Sequence, residues 1–70
     1  MNNKILSHLE LEEEVIHPKG NLPKGALYFP ESKNSSLFTY KDENGIVISS
    51  ISENAIDTFR DMIKLKRIYK

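Results

Sequence analysis

One tetrapeptide leaves the backbone little choice: Asp42-Glu43-Asn44-Gly45, set between the β-prone runs Leu37-Phe38-Thr39-Tyr40 and Ile46-Val47-Ile48. Aspartate is favoured at the first position of a type I turn and glycine at the last, so the spacing closes a hairpin with its glycine in the left-handed region. Two registers follow. If Asp42 faces Ile46, Tyr40 pairs with Ile48 and Phe38 with Ser50, and Phe38, Tyr40, Ile46 and Ile48 share a face. A two-residue Asn44-Gly45 turn instead groups Phe38 and Tyr40 with Val47 and Ile51.

Downstream, Ser52 is placed to cap a helix, Glu53 sits where the helix dipole favours an anion, and Ile51 can staple onto Ile56. Ala55, Ile56, Phe59, Met62 and Ile63 then project to one side, with Asp57, Asp61 and Lys64 opposite. The pattern predicts a C-terminal helix over 52–67 and a tail over 68–70. Upstream, Ala26-Leu27-Tyr28-Phe29 reads as a strand ended by Pro30, which suits an edge. Residues 17–25 hold two Pro-Lys-Gly triplets and read as a connector. Lys-Gly pairs can hold an anion on backbone amides, but a common turn tripeptide is more economically read as two turns.

Residues 1–16 place Ile5, Leu6, Leu9 and Ile16 within about a quarter turn of a helical projection. A short helix ending near Glu14 is the first reading. The alternation of Leu9 with Leu11 and the β-branched pair Val15-Ile16 keep a strand open. The expected architecture is a single α+β domain over 1–70: a three-stranded antiparallel meander over 26–51, packed against the C-terminal amphipathic helix, with a short N-terminal helix beside it.

A chain of 70 residues buries only roughly 60% of its unfolded surface, and without cysteine no disulfide or thiolate metal site reinforces it. Ten basic residues balance ten acidic ones, which removes the long-range field typical of nucleic-acid or anionic-membrane binding. The charge is unevenly spread: Glu10, Glu12, Glu13 and Glu14 cluster early, while Arg60, Lys64, Lys66, Arg67 and Lys70 crowd the end with only Asp61 among them. The start lacks the apolar core of a signal peptide, and no stretch approaches the roughly 20 apolar residues of a membrane span. A soluble cytoplasmic protein is expected.

Catalysis has little to work with. His8 and His17 stand apart without metal-ligand spacing, the acidic cluster lacks the alternating ligands and glycine of a calcium loop, and no glycine-rich phosphate loop occurs. The serines at 49, 50 and 52 read as strand-end and cap residues. No cofactor or metal is expected. Tyr28, Phe38 and Tyr40 beside a basic helix end could stack bases, but so small a chain needs those aromatics for its core.

The composition therefore points to a non-catalytic protein-binding module, with Glu10, Glu12, Glu13 and Glu14 offered to a basic surface and Lys66, Arg67, Tyr69 and Lys70 to an acidic one. Small phage and mobile-element proteins that inhibit host enzymes or defence systems by surface occlusion share this size and layout, though no family motif is present. The alternatives are a nucleic-acid-binding protein using the basic C-terminal end, and a self-associating structural or accessory protein.

Overall fold

The computed structural model describes residues 5–16, Pro18 and 20–70. Five strands form one antiparallel sheet: β1 (Leu6–Leu11), β2 (Leu27–Pro30), β3 (Leu37–Lys41), β4 (Val47–Ser52) and β5 (Leu65–Tyr69), in the order β4-β3-β2-β1-β5. The first four are a meander, and the chain then crosses the sheet to add β5 beside β1. Because every pairing is antiparallel, β4 and β5 run the same way at opposite edges.

Side chains from all parts of the sheet meet in one core. Leu9 and Leu11 from β1, Tyr28 from β2, Phe38 from β3, Ile51 from β4 and Leu65 from β5 are buried together. Leu22 and Ala26 from the β1–β2 connection and Ile56 from the crossover complete it. The sheet therefore curves about a shared interior. At the C-terminal end of β1 the side chains alternate, with Leu9 and Leu11 inward and Glu10 outward.

Neither expected helix occurs among the described residues, residues 1–4 of the N-terminal one lying outside them, and the α+β class is corrected to an all-β sheet. In the N-terminal segment, Leu9 and Leu11 both point inward, which a strand's period of two allows and a helix would place about 200° apart. The C-terminal helix over 52–67 is replaced by one 3-10 turn, Glu53–Ala55, a series of turns to Met62, and β5. Ser52 has the extended backbone of a cap, yet its side chain makes no capping bond. Isolated helical bonds survive, from the Phe59 amide to the Ala55 carbonyl and from the Ile63 amide to the Phe59 carbonyl. They do not propagate.

Local composition and topology both act against that helix. Asn54, Asp57, Thr58 and Asp61 compete with the helical backbone or carry low propensity. Leu65 to Tyr69 alternates well enough to pair with β1, which takes the last turns away. The remaining connection, Glu53 to Lys64, must return along the length of β4 to begin β5. That return is roughly 17–20 Å, so a helix of about 12 residues, about 18 Å long, would be used up by it and leave no chain to cross the sheet.

The hairpin closes as its sequence predicts. The Gly45 amide donates to the Asp42 carbonyl, the Asp42 amide donates to the Ile46 carbonyl, and Gly45 sits at φ 81. Asp42 Oδ1 accepts from the amides of Asn44 and Ile46. Asp42 thus faces Ile46, and Lys41 pairs with Val47. A bulge at Ile48 then shifts the ladder, so Tyr40 pairs with Ser49, Thr39 with Ser50 and Phe38 with Ile51. Both registers occur, one on each side of the bulge. Phe38 and Ile51 end up inside, and Ile46 and Val47 stay exposed.

The edge assignment for the strand ending at Pro30 is also corrected, because β2 lies at the centre of the sheet. Proline is tolerated there as the last residue, where the pairing ends. The connector before β2 folds back on itself: Val15 and Leu22 exchange both backbone bonds, and Leu22 is buried. Of the two Pro-Lys-Gly triplets, the second spends its glycine amide on the Leu11 carbonyl, and Lys19 of the first lies outside the described residues.

The apolar stripe from Ala55 to Ile63 divides into buried Ile56, partly buried Ala55 and Ile63, and exposed Phe59 and Met62. Ile56 is 3% exposed and Met62 is 74% exposed. Ile56→Ala should cost about 2–4 kcal/mol in urea unfolding, and Met62→Ala should stay within about 0.5 kcal/mol. Equal losses at the two positions would restore the helical stripe.

Candidate functional site

The two edges of the sheet differ sharply. Edge β5 carries Lys66 and Arg67, charges of the kind that discourage strand-to-strand association. Edge β4, Val47-Ile48-Ser49-Ser50-Ile51-Ser52, carries none. The Glu53 amide bonds to the Ser36 carbonyl, so by antiparallel alternation the pairs Phe38–Ile51 and Tyr40–Ser49 exchange bonds with β3. The backbone amide and carbonyl of Ser50 consequently face away from the sheet.

An apolar groove of about 590 Å³ lies against that edge. Val15, Ile16 and Leu22 of the folded-back connector form one side, and Ala55, Phe59, Met62 and Ile63 of the crossover form another. Ser49 and Ile51 point inward and Ser50 and Ser52 outward, yet all four line the groove. It therefore runs along the strand's edge and not along one face. Ile16, Phe59 and Met62 are exposed there, a concentration of apolar surface beside unpaired backbone.

Behind the groove, Tyr28 reaches through the core to donate from its hydroxyl to Ser49 Oγ at 3.0 Å. Its ring packs against Tyr40 with centroids 5.8 Å apart. Burial raises the Tyr28 phenol above its ordinary value, the Ser49 bond partly offsets the rise, and Tyr40 adds to it. Tyr28 and Phe38, considered above as a base-stacking platform, are buried, and Tyr40 is half-buried against the same core.

The charged clusters of the sequence do not form two poles. Pairing of β1 with β5 sets Glu10 opposite Lys66, and Glu13 meets Lys64 at 3.2 Å. Arg67, on the inward side of β5, reaches Glu53 at 3.4 Å and Asp57 at 3.6 Å. It ties the last strand to the crossover. Glu12 and Glu14 are exposed beyond the end of β1, Tyr69 lies opposite Leu6, and the Lys70 amide bonds to the Ile5 carbonyl. The groove residues Ile16, Phe59 and Met62 are not among these eight. Their one sequence signal was the uncharged run from Val47 to Ser52, which reads equally as an interior strand.

His8 lies on the outer face, 5.1 Å from the Phe29 ring and hydrogen-bonded to Ser7 Oγ at 2.9 Å; His17 lies outside the described residues. Among the described residues no three His, Cys, Asp or Glu side chains gather as metal ligands would. No described helix is long and apolar enough to cross a membrane. No family model matches the chain, and neither a curated protein nor a solved structure is similar to it. The comparisons lend no support to the inhibitor or mobile-element reading, which goes no further.

Tyr28 ties alkaline stability to the floor of the groove. The unfolded phenol titrates at 10.0 and the folded one above it, so its contribution is full below the unfolded value and is lost as the pH rises through the folded one. Urea midpoints measured at about pH 9 and about pH 11 should fall less for Tyr28→Phe than for the parent protein. Equal alkaline losses would show that Tyr28 is not the group responsible.

Proposed function

We propose that this protein is a non-catalytic protein-binding module that receives an extended segment of another protein along the open edge of β4. The supporting observation is the coincidence of an uncharged, unpaired strand edge with the apolar groove beside it. Backbone bonds to Ser50 would supply affinity without regard to sequence, and alternate apolar side chains of the segment would fill the space between Ile16 and Met62. Burial of that surface would offset the ordering cost of the incoming chain. The reading places the protein in the cytoplasm and assigns it no reaction.

A second copy of the chain is the competing occupant, favoured by the same lack of charge. Two β4 edges related by a two-fold axis bring Ser50 against Ser50 with no like charges facing. Sedimentation across a concentration series separates the two cases, since the principal reading expects a monomer with an accessible edge.

Selection from a random library of displayed peptides of about 10 residues, with the purified protein as bait, tests the groove directly. Enriched peptides should alternate apolar residues, and Met62→Asp should weaken them at least about 10-fold while leaving the urea midpoint unchanged. Selected peptides that bind the variant as well as the parent would remove the groove from the mechanism.

A further inference from the structure

The outer face of the sheet presents a second recess, separate from the β4 groove. It holds about 510 Å³ and is lined by Phe29, Leu27 and Pro30 of β2, Thr39 and Lys41 of β3, and Lys24 of the preceding turn, among others. Among the described residues no carboxylate lines it. Phe29 is 50% exposed although it sits on the central strand, where neighbouring strands flank it on both sides. His8 covers one flank of the ring. Among the described residues, neither Lys24 nor Lys41 takes part in an ion pair.

An exposed aromatic ring at the centre of a sheet, with ammonium groups around it, offers a base a stacking surface and the adjoining phosphates a counter-charge. We infer that this face binds a short single-stranded nucleic-acid segment, with a base stacked on Phe29 and phosphates held by Lys24 and Lys41. Glu10 stands opposite Leu27 on the flanking strand, and Lys66 stands across from it on β5. That pairing limits its repulsion of an anionic strand. The overall neutrality of the chain restricts contact to this face and makes the expected affinity modest. The aromatic that matters is thus Phe29, not the inward-facing Tyr28 and Phe38.

Fluorescence anisotropy with a labelled oligothymidylate of about 12 nucleotides, in buffers of about 20 and 150 mM salt, reads the proposal. Binding should be saturable and weaken with salt. Phe29→Ala should reduce it roughly 5- to 150-fold and Phe29→Tyr should retain it. Changing Lys24 and Lys41 together to glutamine should lower the slope of log affinity against log salt by about 1.4, at about 0.7 per phosphate contact. The double lysine variant also serves if Phe29→Ala fails to fold, since both lysines are exposed. Absence of saturable binding at the lower salt, or an unchanged salt slope in the lysine variant, would overturn the inference. A groove-independent peptide ligand lost on Phe29→Ala, with no oligonucleotide binding, would assign the face to protein instead.

Discussion

The pairing of β5 with β1 is the constraint on which the rest of the molecule depends. Leu9 and Leu11 are buried on a strand whose backbone must be satisfied on both sides, and β2 supplies one side only. The C-terminal residues supply the other, and Leu65 closes the core against Leu11. Once Leu65 to Tyr69 is committed to that ladder, the preceding residues must cross from one edge of the sheet to the other. Arg67, bound to Glu53 and Asp57, fastens the crossover to the strand it feeds.

The crossover in turn creates the groove. Its path buries Ile56 and leaves Phe59 and Met62 beside β4, opposite the folded-back connector that carries Ile16. The outermost residues of that surface cannot all reach a core built by so short a chain. Placing β5 beside β1 also leaves β4 without a second neighbour among the described residues. An open edge and exposed apolar side chains are therefore two outcomes of one topological choice.

Charge follows the same logic. Glutamates near the start and cations near the end look like opposite poles in the sequence, yet antiparallel pairing lays them side by side. The uneven charge of the linear order is thus partly offset by the fold. Attention moves from charged termini to surfaces whose character depends on strand order: the uncharged β4 edge and the outer face around Phe29.

Local chemistry was legible wherever neighbouring residues alone determined the geometry. Asp42 and Gly45 set the turn because a carboxylate two residues from an amide and a glycine with positive φ act within a few bonds. The inward alternation of Leu9 and Leu11 was also visible, though a helix competed with it. The Ile48 bulge was not legible, because it reconciles the turn's register with the burial of Phe38 and Ile51, a condition imposed by the whole core. The apolar stripe from Ala55 to Ile63 satisfied helical spacing as well, and the demand of β1 for a second partner overrode it, with Asn54, Asp57, Thr58 and Asp61 weakening the helix locally. The hairpin turn and most of the residues able to enter a core follow from local residue chemistry alone. Tertiary structure decided which strands became edges, because that depends on the pairing of β1 with β5, more than fifty positions apart, and which aromatics faced outward, because that depends on a core shared by all five strands.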